Sequence, residues 1–180
     1  MAEEKNKRAS QAKAQGDELT EAVLKVRRVA KVIKGGRRFA FSALVVVGDK
    51  KGNVGVALGK SREVSSAISK GLRRARKNMF AVALYKTTIP FAVEGKHGAS
   101  EVLIRSASKG TGVIAGGAVR AVLEALGVQD VLAKSIGSSN SQNVVKATIH
   151  ALKKLKTAQE IAAVRGKSMK ELFGEKNAQA

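Results

Sequence analysis

The side chains that usually carry catalysis are sparse in this chain and poorly spaced for it. There are two histidines, His97 and His150, and no cysteine. Neither histidine has an acid nearby at the spacing of a metal site, so both read as surface or packing residues and no metal or other cofactor is expected. Glu63 beside Arg62, and Glu101 by itself, do not make a carboxylate pair for acid–base work, and no G-x-S-x-G elbow presents a nucleophile. Two glycine motifs come closer to chemistry. "LGKS", 58–61, matches the end of a phosphate-binding loop, but that loop needs a glycine five residues before Gly59, where Val54 stands. "GTGVIA", 110–115, fits G-x-G-x-x-[G/A] between a strand and a helix, with Asp130 about twenty residues on as the ribose-binding acid would be. Against a dinucleotide site, Asp130 opens its strand rather than closing it, and the remaining chain is too short for a second mononucleotide half. Close backbone packing is the plainer role for these glycines.

Positive charge, in contrast, is abundant. Lys and Arg number 34 against 14 Asp and Glu, a net charge of +20 over 180 residues. Solubility does not require so much, so the partner is a polyanion: nucleic acid first, then an anionic membrane surface, then an acidic protein. A hydrophobic fraction of 44% supplies a core, unlike a histone-like coat. The absence of cysteine fits a reducing cytosol. The charged start has no apolar segment of a secretory signal, and the longest apolar runs, near Leu44–Val47 and Ala81–Leu84, fall far short of the roughly 20 residues a membrane span needs. A soluble protein is expected.

The cations cluster: Arg27, Arg28, Lys31, Lys34, Arg37 and Arg38 on one hairpin, Lys50 and Lys51 with Asn53 at the next turn, and Lys60 and Arg62 after it. A merely solvated face mixes signs, yet residues 22–48 contain no acid. Gly35 and Gly36 let the turn approach a sugar–phosphate backbone closely. Aromatic residues make up only 3%; Phe39 and Phe41 are expected to be buried and Tyr85 stands alone, so base stacking is not the expected main mode. Phosphate and 2′-hydroxyl contacts to folded RNA, or DNA backbone binding, remain.

These residues need a scaffold, and the periodicity supplies an α/β (α+β) chain of two small domains. After a polar arm over 1–17, residues 18–81 read as β-β-β-α. A strand with one wet, basic face covers 19–33, and "RFAFSALVVV" follows with Phe39, Phe41, Ala43, Val45 and Val47 on one side. Leu44 and Val46 on its other side imply a middle covered on both faces. "VGVALGK" is a third strand. Val64, Ala67, Ile68, Gly71, Leu72, Ala75 and Met79 then form a helical stripe, with Ser61 as the expected N-cap. A boundary near 82–86 precedes a second domain, 86–157, read as β-β-β-α-β-α. Strand candidates lie around Thr87–Val93 and at "SEVLIRSA", followed by "SKGTGVIAGG", whose glycines open a helix ended by Gly127, then a strand "VQDVLAKSI" and a helix capped by Asn140. Short helices and a loose tail are expected over 158–180.

Three stretches, "KGGRRFAFSALVVVGDKKGNVGVALGKSREV", "GTGVIAGGAVRAVLEALGVQDVLAKSIGSSN" and "NVVKATIHALKKL", closely resemble the bacterial small-subunit ribosomal protein S-five family over roughly 18–173. The resemblance implies an N-terminal domain similar to double-stranded-RNA-binding domains and a C-terminal domain of the S-five second-domain type. It implies a cytoplasmic, ribosomal location and a structural rather than enzymatic role in assembly and translational accuracy. The implied partners are small-subunit rRNA, ribosomal proteins S-four and S-eight, and the messenger along its inward path. By the same resemblance, Lys34, Gly35, Gly36 and Arg37 lie near the spectinomycin site. Gly110, Thr111, Gly112, Gly116, Gly117 and Arg120 face ribosomal protein S-four. Ser65, Ser106 and Ser141 stand where the family is expected to have proline, and Lys109 where it has an acid, which puts any salt bridge at Lys109 in doubt. A stand-alone double-stranded-RNA-binding protein is the alternative, and a nucleotide-binding enzyme using Gly110–Ala115 and Asp130 the third reading.

Overall fold

The computed structural model describes residues 19–168. The arm expected over 1–17 and the loose end from residue 174 lie outside the described residues. Two four-stranded sheets follow one another along the chain, as the α+β reading expects. The first has the order β1 (Thr20–Ile33), β2 (Gly36–Gly48), β3 (Asn53–Ser61), β4 (Phe80–Ala81). β1 and β2 pair from Thr20 opposite Gly48 to Ile33 opposite Gly36, with a bulge between Val23 and Lys25. β4 was not legible in the sequence, because two residues are too few for alternation to register.

Helix α1 (Val64–Lys77) crosses one face of this sheet. The side of β3 turned toward it carries Gly55, Ala57 and Gly59, and the helix comes close because there is so little there. A Cβ on Gly59 would stand 1.9 Å from the Ala67 carbonyl oxygen, and one on Gly55 would stand 2.2 Å from that of Ala75. Ala43, Val45, Val47, Ala67 and Ala75 close the resulting core. The expected N-cap at Ser61 is corrected: Ser61 pairs with Phe41 as the last residue of β3, and Glu63 takes the cap position with extended backbone.

The opposite face of β2 and β3 is also covered. Leu44, Val46 and Val54 belong to a larger core with Val102, Ile104, Val119, Val122, Leu123 and Val145, so the second unit packs on the first. The covering helix is α2 (Gly117–Leu126), whose C-terminal carbonyls lack partners within the helix. The turn between β2 and β3 fills that need: the N–H groups of Lys50 and Gly52 donate to the carbonyls of Ala125 and Leu126, each at 3.1 Å. Gly127 ends α2 in the left-handed conformation with φ 95°, as its position predicts.

The second sheet has the order β5 (Val93–His97), β6 (Ser100–Ser106), β8 (Val131–Gly137), β7 (Val113–Ile114), with α3 (Ser141–Leu152) and α2 on one face. Its chain order is the expected β-β-β-α-β-α. The first strand begins at Val93 rather than Thr87, because residues before it form a turn closed by the Tyr85–Thr88 bridge. Asn140 caps α3 by accepting from the Gln142 N–H at 3.2 Å. Helix α4 (Ala158–Arg165) opens on a reciprocal cap between Thr157 and Glu160. Among the described residues no helix is long and apolar enough to cross a membrane.

Candidate nucleic-acid interface

β3 stops at Ser61, opposite Phe41, while β1 and β2 continue to Ile33 and Gly36. Residues 29–33 and 36–40 therefore pair only with each other and project as a two-stranded ribbon for about 16 Å, at about 3.3 Å per residue. Every residue from 30 to 39 is exposed. At the tip, Gly35 and Gly36 have φ of 91° and 145°, and a Cβ at either would meet nothing within 4 Å. Lys34 sits in this turn, and Arg37 and Arg38 open the returning strand.

The register sorts the cations onto faces, since directly paired residues share a side of the sheet. Lys25 pairs with Leu44, Arg27 with Ser42, and Lys31 with Arg38. Ser42 in turn pairs with Lys60. Lys25, Arg27, Lys31, Arg38 and Lys60 thus occupy the face away from α1. Lys25 was missed in the sequence, although its parity with Arg27 carries the signal. At the inner end of this face, Asn140, Ser141 and Gln142 of the second unit come against Lys25, Arg27 and Ser42 around a cleft of about 50 Å³. Arg62 lies exposed just past β3.

Lys31 directly opposite Arg38 is a like-charge pair, which weakens a sheet in the free protein and is relieved by a shared anion. Lys50, Lys51 and Asn53 are not gathered with this group. They lie past the other end of β2, about 40 Å from Arg38 and about 20 Å from Lys25 along a strand rising about 3.3 Å per residue. The Asn53 side chain donates to the Asp49 carboxylate at 2.6 Å, so it serves the turn. Partial burial works against the charged form of Asp49, but bonds from the Asn53 side chain and from the N–H groups of Asn53 and Lys51 outweigh it and hold the carboxyl below its usual range.

On the face toward α1 the register places Arg28, Phe39 and Arg37. Here an expectation fails: Phe39 is 46% exposed rather than buried. The alternation of apolar residues continues along β2 past the point where β3 and α1 cover it, so pattern alone cannot locate the end of the core. The Arg28 guanidinium lies over the Phe39 ring, 3.7 Å from its centroid. Phe41, one step inward, is half-buried against the α1 core.

In the second unit, Gly110 and Gly112 have φ of 92° and 76°, and their N–H groups donate to one oxygen of Asp130 at 2.9 and 3.0 Å. The Gly112 N–H is the main cause holding this carboxyl below its usual range, against desolvation, with the Thr87 side chain and the N–H groups of Gly110 and Thr111 assisting. The donors a pyrophosphate would need are therefore taken by the protein's own carboxylate, which removes the dinucleotide reading. The Thr111 hydroxyl donates to the Ser108 carbonyl at 2.8 Å. Gly116 caps α2, Gly117 opens it, and the Arg120 guanidinium donates to the Val113 carbonyl at 3.0 Å. Beside this loop, Ile114, Leu132 and Leu103 with Arg105 and Lys134 line a shallow groove of about 280 Å³ on the outer face of the second sheet.

The two histidine rings meet edge to face with centroids 5.2 Å apart, and His150 Nδ1 stands 3.0 Å from the Lys96 carbonyl oxygen. Among the described residues no group of three or more His, Cys, Asp or Glu side chains could hold a metal ion.

Fold and surface together define a basic α+β protein of two packed units with a cation-rich strand ribbon. The chain belongs to the ribosomal protein S5 family. Residues 19–83 match the model described as Ribosomal protein S5, N-terminal domain, and residues 95–165 the model described as Ribosomal protein S5, C-terminal domain. The chain is 55% identical over 157 residues to a protein of Marinobacter nauticus named "Small ribosomal subunit protein uS5", covering 87% of this chain and 95% of that one. A protein of the same name from Nitrosococcus oceani is 54% identical over 162 residues, 90% of this chain and 95% of its own. One from Hahella chejuensis is 54% identical over 159 residues, 88% and 95% respectively.

Proposed function

We propose that this protein is a structural, non-catalytic constituent of the small subunit of the cytoplasmic ribosome, and that it holds small-subunit rRNA along the β1–β2 ribbon. The observation that carries the reading is the ribbon itself, a projecting hairpin with no acid from residue 22 to 48 and a like-charged pair, Lys31 and Arg38, facing outward on it. Arg27, Lys31, Lys34, Arg37, Arg38, Lys60 and Arg62 contact phosphates there, Arg28 meets the RNA beside them, and Gly35 and Gly36 let the tip come within contact of the backbone. Lys50 and Lys51, with Asn53 shaping their turn, make a separate contact at the far end of the sheet.

The division of labour follows the units, 18–81 for RNA and 86–157 for protein. Gly110, Thr111, Gly112, Gly116 and Gly117, with small side chains or none, and the exposed Arg120 lie next to the apolar groove of Ile114, Leu103 and Leu132. Its partner is ribosomal protein S-four, with ribosomal protein S-eight and the incoming messenger nearby, and loosening this contact lowers decoding accuracy. The ribbon tip lies near the spectinomycin site. Sucrose-gradient fractionation of a lysate at moderate and then high salt, following this protein by mass, tests the reading. Co-migration with small subunits that survives moderate salt is expected; a free pool at every salt concentration refutes it and favours a stand-alone RNA-binding module.

A further inference from the structure

We propose that Arg28 and Phe39 form a stacking platform that receives one unpaired nucleobase of the RNA. The inference rests on the RNA-binding reading of the ribbon and adds a contact that its charge alone does not provide. The two faces of the ribbon differ in kind. The face away from α1 carries Lys31 and Arg38 and no aromatic residue, a surface suited to phosphates. The other face carries Arg28, Phe39, Val32 and Arg37.

The platform is built by the register. Phe39 pairs with Ala30, and Arg28 pairs with Phe41, which sets Arg28 and Phe39 on a diagonal across the two strands. A small residue opposite the ring leaves room for the guanidinium to lie over it at 3.7 Å, in van der Waals contact. Such diagonal neighbours are within reach only of long or aromatic side chains. Burying a half-exposed phenylalanine was open to the fold, and the fold does not do it: the ring is 46% exposed, and Val32 beyond it is 73% exposed. An exposed ring held by a planar cation is a surface on which a base can stack, with the guanidinium plane or the free side of the ring as its floor. Arg37, two residues along the same face, is placed to neutralise the phosphate of the stacked nucleotide. A fully paired helix offers no free base face, so the platform selects a bulged or looped nucleotide beside a duplex.

Equilibrium binding of the full-length chain to small-subunit rRNA and to a fully paired RNA duplex, across a range of salt, tests this. Arg28→Lys keeps the charge and removes the plane, Phe39→Leu removes the ring, and Phe39→Trp keeps a stacking surface. The first two are expected to weaken rRNA binding about tenfold each, the scale of one stacked base. They leave the salt slope and the duplex affinity unchanged, and Phe39→Trp binds as well as the wild type. Arg28→Lys binding rRNA like the wild type, or losing as much affinity for the duplex, overturns the platform. Should Phe39→Leu melt early, the decision passes to Arg28→Lys, whose side chain is exposed. Wild-type protein with no salt-dependent affinity for rRNA would be a different result, ending the RNA-binding reading itself.

Discussion

Replacing Lys31 and Arg38 together by alanine separates what the ribbon needs for folding from what it needs for binding. The two residues are directly opposite on adjacent strands, exposed, and of like charge, so they repel each other in the free protein. Neither packs into the core, and the double variant is expected to melt no lower than the wild type. Binding should change in the opposite sense. If each side chain neutralises one phosphate, two fewer counterions are released, and the slope of log K against log salt becomes shallower by about 1.8, at about 0.9 per contact. Between roughly 50 and 200 mM salt the wild type then loses about twelvefold more affinity than the variant does. The assay is titration of labelled small-subunit rRNA with full-length protein at several salt concentrations, alongside thermal unfolding. An unchanged slope refutes the claim that this face contacts phosphates, and a clear drop in melting temperature refutes the claim that the pair is a cost the fold carries for its ligand.

Three further outcomes follow from the packing and the site. Gly59→Val puts a branched side chain where even a Cβ would stand 1.9 Å from the Ala67 carbonyl oxygen, so α1 must lift off the sheet. A destabilisation of about 1–3 kcal/mol, the usual cost of overpacking, should appear as a lowered denaturation midpoint. Asp130→Asn should lower stability at neutral pH by weakening the hold on Gly110 and Gly112. Because the folded carboxyl titrates below its ordinary value of 3.8, its contribution is complete above that value and is lost as pH falls through the folded pKa. The gap between wild type and variant in melting temperature should therefore close on acidification, and a gap independent of pH would contradict the assignment. Gly36→Glu, at φ 145° in open space, should leave circular dichroism essentially native while weakening rRNA contact; global unfolding would refute the exposed-tip reading.

Much of the architecture was legible because local chemistry and global fold agree. The period-two run of β2, the shift to a helical stripe after Arg62, Asn140 before α3 and Gly127 after α2 each state a local preference that the tertiary structure keeps. Leu44 and Val46 on the second face of β2 even announced that something must cover them. The misreadings have a common origin. Ser61 looks like a cap and Phe39 looks buried when judged by type and spacing. What decides both is where β3 stops pairing with β2, and that is a property of the register between two strands.

Composition by itself pointed to a polyanionic partner, since net charge does not depend on folding. The alternation along β1 and β2 determined that the cations would sit on a strand hairpin. Only the tertiary structure decided which of them share a face, because pairing register, and not order along the chain, sets Arg27 beside Ser42 and Lys60 and leaves Lys50 and Lys51 at the far end. It also decided the role of Asp130, whose carboxylate fills the glycine loop that a motif would have left for a ligand. A sequence lists donors and acceptors; which of them are already satisfied depends on distances that exist only once the chain has folded.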